Sequence, residues 1–303
     1  MTLNFFSDAK FDFMKLSKIT NFASLLLIII SIILLIFRGL NFGIDFSGGS
    51  LIEARFSKDT NISELRTILS AKNNKVQIQK IKNNISDKSD FLIRFPSNNK
   101  DQSKFVEEIQ NTLNNNFKDI TYRKIDYVGP QIGQELINKG IMALFLSFLF
   151  IFIYIWIRFD WQFSIGAIIA LIHDAILIFG FYSLTQIEFN TTSIAAILTV
   201  IGYSINDTVV IFDRIRDNLR RNKKMPINNI INISVNSTLS RTIITSGLTL
   251  LSLMALIFFG GKILFSFSLA TFFGVIIGTY SSIYSSSVIL TKYDPRIYNK
   301  DSK

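Results

Sequence analysis

The 303-residue chain has no cysteine and a single histidine, and charged residues make up only 18% of it. Without cysteine there can be neither disulfide nor thiolate chemistry, and one histidine cannot build a histidine cage around a metal. The sequence has no G-x-x-x-x-G-K-[ST] phosphate loop, no metal-ligand cluster and no nucleophile–base spacing. An enzyme, a cofactor and a resident metal are therefore all disfavoured. No stretch interleaves aromatic and basic residues in the manner that stacks bases, so the net charge of +10 does not point to nucleic acid.

Apolar residues are what the chain has in excess: 49% of the total, with a mean hydropathy of +0.36. They gather into six blocks, Ile19–Phe37, Ile141–Ile157, Phe163–Leu184, Ser193–Phe212, Thr242–Phe259 and Leu264–Leu290. Each is close to the roughly 18 to 20 residues a helix needs to cross a hydrocarbon layer of about 30 Å. The first is too long for a signal-peptide core, and Arg38-Gly39-Leu40 follows it instead of a small-x-small cleavage site, so it is expected to stay as a helix.

Basic residues fall beside alternate connections. Lys10, Lys15 and Lys18 precede the first block, Arg158 lies between the second and third, and Arg214, Arg216, Arg220, Arg221, Lys223 and Lys224 follow the fourth. Lys292, Arg296, Lys300 and Lys303 follow the sixth, whereas the opposite short loops, Thr185–Asn190 and Gly260–Lys262, carry only Lys262. The positive-inside rule puts the basic connections and both termini in the cytoplasm. The expected organisation is a cytoplasmic segment over 1–18, a first span over 19–37, an extracytoplasmic domain over 38–138, five spans over 139–290 with a basic loop at 213–232, and a cytoplasmic tail at 291–303.

Within 38–138 the periodicity changes. Ile44-Asp45-Phe46 and Leu51–Phe56 read as extended chain on either side of a Ser47-Gly48-Gly49-Ser50 break. Asn61-Ile62-Ser63-Glu64 reads as a capped helix start, Val76–Ile81 and Phe91–Phe95 as strands with Pro96 ending the second, and Ile120–Val128 as a final strand. Phe105, Val106, Ile109, Leu113 and Phe117 stand at helical spacing over Asp101–Phe117. Strand, helix, strand, strand, helix, strand is the split β-α-β order of a ferredoxin-like domain, an antiparallel sheet with two helices on one face. The expected fold is thus α-helical and polytopic, with six transmembrane helices and an α+β domain inserted between the first two.

A membrane does not hold charged groups idly. Asn206-Asp207 lies in the fourth block, about fourteen residues or on the order of 20 Å from the external surface. An aspartate near a span centre costs about 2.5 to 3.5 kcal/mol, so it persists when paired, neutral or facing water. Thr199, Tyr203, Asn206, Asp207, Val210 and Asp213 follow steps of three and four, a polar face expected to point into a bundle or cavity. The third block carries His173-Asp174, with Gly166 and Ala170 at four-residue steps before the acid. The fifth begins beside Arg241, whose long side chain can reach the level of Asp207, with Thr245, Thr249 and Ser252 along one side. Gly274, Gly278, Ser282 and Ser286 form a small-x-x-x-small stripe that suits close packing. An Asp–Arg pair can simply fasten helices, and His173 can simply bond a carbonyl. Equally, desolvation favours the neutral carboxyl and an approaching guanidinium the charged one, so alternation between them can couple proton passage to movement.

Five ordered stretches carry a family resemblance: Gly39–Gly49 with Gly43, Asp45, Phe46, Gly48 and Gly49; Val128–Gly133 with Gly129 and Pro130; Gly202–Val210; Asp213-Arg214-Ile215-Arg216; and Ser240–Ser246. Together they resemble the SecF family, the smaller half of the SecD–SecF accessory complex of bacterial protein translocases. The resemblance covers nearly the whole chain; Ser47 stands where threonine is common. It implies an RND-like half that pairs with SecD into a twelve-helix core, associates with the SecYEG channel, and uses the proton-motive force to draw out translocating preproteins, with YajC and YidC as further partners in the inner membrane. It also implies that Asp207 is the proton-carrying aspartate and Arg241 its cation, with Asn206, His173 and Asp174 nearby, and that the chain alone lacks half the proton route. An RND-type small-molecule transporter half, or a passive assembly scaffold, remains as a rival reading.

Overall fold

Asp12 starts the first helix: its Oδ1 accepts from the Lys15 N–H at 3.1 Å, so α1 (Phe13–Phe37) takes in Lys15 and Lys18 ahead of the apolar run. The structure is a computed structural model and describes residues 11–56, 60–70, 76–81, 89–96, 102–117 and 119–298. Lys10, Asp101, Lys300 and Lys303 lie outside the described residues. The described chain divides into two compact units, Phe42–Ile141 and the helices on either side of it in sequence.

In the smaller unit, Ile44-Asp45-Phe46 is not extended. It forms one helical turn, α2 (Ile44–Ser47), because Gly43 O accepts both the Ser47 N–H and the Ser47 hydroxyl at 3.0 Å and Gly48 N–H bonds Ile44 O at 2.9 Å. Three alternating residues are too few to tell a strand from a turn. Next come β1 (Gly49–Phe56), α3 (Ile62–Ser70), β2 (Gln77–Ile81), β3 (Ser89–Phe95), α4 (Gln102–Asn116) and β4 (Ile120–Val128). The strands pair antiparallel in the order β2-β3-β1-β4, with Ile52 opposite Ile93 on one side and Ile125 on the other. Ile52, Ala54, Phe56, Phe91, Ile93 and Phe95 turn one face inward, where Leu65 and Leu69 of α3 and Ile109 and Leu113 of α4 complete the core. This is the ferredoxin-like arrangement.

Gly48 and Gly49 join α2 to β1 with φ of +67° and +123°, a region open to glycine and strained for other residues. A Cβ on Gly48 would also lie 3.1 Å from Pro130 Cα, so its smallness lets the start of β1 meet the chain leaving β4. Pro130, whose missing N–H suits a first helical position, opens α5 (Pro130–Arg158), so the helix begins inside the stretch assigned to the domain from sequence.

The remaining elements are α6 (Trp161–Thr185), α7 (Thr191–Arg221), α8 (Ile227–Phe259), α9 (Gly261–Ile283), α10 (Ser285–Lys292) and α11 (Pro295–Tyr298). Among the described residues six helical segments are long and apolar enough to cross a membrane, the sixth running through α9 and α10. That last span is broken at Tyr284, where the Ser286 hydroxyl bonds back to Ser282 O at 2.6 Å, a contact that bends helices. Where a basic loop is expected over 213–232, α7 and α8 continue and only residues 222–226 connect them. Most of α6 is buried among α1, α7, α9 and α10, whereas α5 presents Ile141, Phe145, Phe150, Trp156 and Ile157 outward.

Candidate functional site

Glycine and serine let three helices meet around the buried acids. A Cβ on Gly274 of α9 would fall 2.3 Å from Val200 Cγ2 of α7, and one on Gly278 would fall 3.0 Å from Ser204 Cβ and 3.6 Å from Asp174 Oδ2. The Thr208 hydroxyl donates to Ser282 Oγ at 2.9 Å, and Ser282 Oγ donates to the carbonyls of Ser204 and Gly278. The stripe Gly274-Gly278-Ser282-Ser286 therefore packs and also bonds, as small polar residues do between spans. Gly166 of α6 serves the same end: its Cβ would sit 2.5 Å from Ser286 O.

Asp174 is fully buried on α6 and has polar partners at both carboxyl oxygens. His173 Nδ1 lies 2.9 Å from Oδ1, and the hydroxyls of Ser204 and Ser281 donate to Oδ2 at 2.6 and 2.8 Å. His173 Nε2 is buried without a hydrogen-bond partner among the described residues, and the His173 ring lies 6.2 Å from that of Tyr280. The Tyr280 hydroxyl in turn donates to Thr20 O at 2.6 Å and lies 2.9 Å from Ser24 Oγ, tying α9 to α1. Sequence reading missed Ser204, Ser281 and Tyr280. Their signal was faint, since hydroxyls are common in apolar spans and only the fold brings them to one carboxylate.

Asp207 of α7 is the opposite case. It is 2% exposed, and its Oδ2 is buried with no hydrogen-bond partner among the described residues. The Arg241 charge on α8 acts on it, but the two do not approach to an ion pair among the described contacts, and Arg241 is exposed. The polar face expected to turn inward does so only at Asp207. Asn206, Thr199 and Asp213 are exposed, and a Cβ on Gly202 would meet nothing within 4 Å. The inward face of α7 is instead Ala196, Ile197, Val200, Ser204, Asp207, Thr208 and Ile211, about one position round the helix. Tyr203 lies between, its hydroxyl donating to Ser246 Oγ of α8 at 3.2 Å. Asp213 is held outside the bundle by Arg216 at 2.8 Å and Arg158 at 3.3 Å.

The two acids thus differ in what their removal does. Asp174→Ala strands the Ser204 hydroxyl and the His173 imidazole in a buried site, while the Ser281 hydroxyl keeps Gly278 O, and is expected to cost about 3 kcal/mol, the upper range for leaving buried polar groups unsatisfied. Thermal or denaturant unfolding of the detergent-purified chain measures it. An unchanged midpoint would contradict the network.

Six membrane-length helices among the described residues, around buried polar groups and with a split β-α-β domain following the first, define a multi-pass membrane protein. A family model described as "Protein export membrane protein SecD/SecF, C-terminal" matches residues 108–296, and the SecD/SecF GG motif matches residues 33–60. The chain belongs to the SecD/SecF family. It is 48% identical over 293 residues to protein translocase subunit SecF of Rickettsia rickettsii, covering 96% of this chain and 94% of that protein, and equally identical to SecF of Rickettsia prowazekii. The crystal structure of SecDF, a translocon-associated membrane protein from Thermus thermophilus, superposes with a TM-score of 0.84 at 36% identity. The match covers 97% of this chain and 39% of that one, so this chain spans about two-fifths of the length of SecDF. A SecDF structure in a super-membrane-facing form gives a TM-score of 0.71 at 35% identity.

Proposed function

We propose that the chain is the SecF half of a proton-driven export motor: it pairs with SecD, works beside the SecYEG channel in the inner membrane with both termini cytoplasmic, and helps draw preproteins outward with the proton-motive force. The observation that carries this reading is the state of Asp207, a buried carboxyl oxygen without a partner on a helix whose neighbouring face is open. Thr199, Gly202 and Asn206 on α7, and Arg241 on α8, are exposed in this chain. Lipid is a poor neighbour for such groups, so a second protein surface suits them. SecD is the partner that the name SecDF supplies for the Thermus relative. Asp174, already held by three donors, is a structural acid in this reading, and Asp207 is the group free to change its protonation. The order of residues along α7 and α8 favours this over a small-molecule transporter half, because the open face asks for a partner protein and not for a solute pocket.

Complementation tests the pairing. In cells lacking their own SecD and SecF, this chain with its SecD is expected to restore export of a proton-motive-force-dependent preprotein, and the chain alone is expected to restore none. Full restoration without SecD would overturn the reading.

A further inference from the structure

At the basic end of the helices a cavity of about 670 Å³ opens between the end of α5, the start of α6, the last turns of α7 and α11. Arg158, Arg216, Arg220, Lys223 and Arg296 line it, against one lining carboxylate, Asp160. Arg158 and Arg216 are engaged by Asp213 and Arg296 by Asp294, its Nη2 2.6 Å from Oδ2. Setting those three acids against the five cations leaves two positive charges. Arg220 and Lys223 are the pair with no side-chain partner among the described residues, and both are exposed.

The floor of the cavity is apolar. Phe159 and Phe163 are buried beneath it, and the guanidiniums of Arg158 and Arg216 lie 5.1 and 4.8 Å from the centre of the Phe159 ring. One wall continues along α5, a membrane-length helix on which Ile157, Ile153 and Phe150 are exposed. Trp161 pairs with Tyr293 beside it at 5.9 Å, the kind of aromatic pair found where hydrocarbon meets headgroups. A cavity at that depth with surplus cations, two arginines fixed over a ring and an apolar exit has the chemistry of a phosphodiester carrying acyl chains.

We propose that this cavity binds the headgroup of an anionic phospholipid, with Arg220 and Lys223 meeting the phosphate and the acyl chains lying along α5. A free phosphate ion offers the same anion without the chains. The α5 wall favours the lipid.

Native mass spectrometry of the purified full chain, titrated with phosphatidylglycerol or phosphatidylcholine, tests the proposal. The expected result is a saturable phosphatidylglycerol adduct, weakened about 30-fold in R220Q/K223Q, two charges at the several-fold each that a membrane-surface Lys or Arg contributes. K15Q/K18Q, which removes two charges from α1, and R220K/K223R, which keeps both charges, are expected to bind as the parent does. Equal weakening in K15Q/K18Q, loss in R220K/K223R, no loss in R220Q/K223Q, or equal affinity for phosphatidylcholine would each overturn it. Occupancy by inorganic phosphate at the affinity of phosphatidylglycerol would overturn the lipid in favour of the free ion.

Discussion

Replacing Asp207 by asparagine is expected to abolish the proton-driven part of preprotein export while the chain accumulates and unfolds as before. Asparagine keeps the shape of the side chain, replaces one carboxyl oxygen by an amide NH2 and cannot take up or release a proton. Because Asp207 Oδ2 has no hydrogen-bond partner, the substitution breaks no bond at that atom. A neutral amide also avoids the desolvation cost of a buried carboxylate, so the variant loses no stability on that account. What it loses is coupling. An elementary charge falling through about 100 mV releases roughly 2.3 kcal/mol, and a site that cannot take up a proton cannot deliver that to a conformational step. Export measured with SecD present is expected to fall to the level seen without the chain, with dissipation of the proton-motive force having no further effect. Normal proton-dependent export in Asp207→Asn cells sinks the mechanism and leaves a passive scaffold.

A large effect on the fold is expected from Gly180→Val, where α6 meets α1. A Cβ there would stand 2.2 Å from Ser31 Oγ, 2.4 Å from its Cβ and 3.0 Å from its Cα. Backbone stands behind the side chain, so no rotamer of Ser31 relieves the clash and the helices must separate. Their contact is also bonded close by: the Ser183 hydroxyl donates to Leu34 O and Arg38 Nη1 to Leu184 O, both at 2.9 Å. Between spans, packing and such bonds hold helices together, because lipid offers apolar side chains as good a surrounding as a neighbouring helix does. Overpacking at this point is expected to cost about 3 kcal/mol and to lower the amount of chain in the membrane several-fold. Gly202→Val is the counterpart. Open space surrounds Gly202, so the melting of the purified chain is expected to stay put, and only association with SecD suffers. Equal melting of Gly180→Val and the parent would refute the close approach.

The spans, the inserted domain and the identity of the acids could all be read from sequence, because each is written locally. A run of apolar residues long enough to cross hydrocarbon has few other uses, the alternation of Leu51–Phe56 marks a half-buried strand, and a charge such as Asp207 inside a span is costly wherever it faces. Helix ends were less legible. Asp12 and Pro130 extended α1 and α5 beyond their apolar runs, since capping atoms set those ends and hydropathy does not register them. Which way α7 turns was legible only at Asp207. Thr199, Asn206 and Asp213 share a face in sequence, yet Ser204 and Thr208 are the residues that face α9, because Gly274 and Gly278 admit the helix on that side. Sequence alone therefore determined that this chain carries six runs long enough to span a membrane, with acids inside the third and the fourth. Only the tertiary structure decided that both oxygens of Asp174 are bonded and Asp207 Oδ2 is not, since apart from its neighbour His173 the partners of Asp174 are hydroxyls of α7 and α9, helices distant in the chain that meet only where glycine lets two backbones approach.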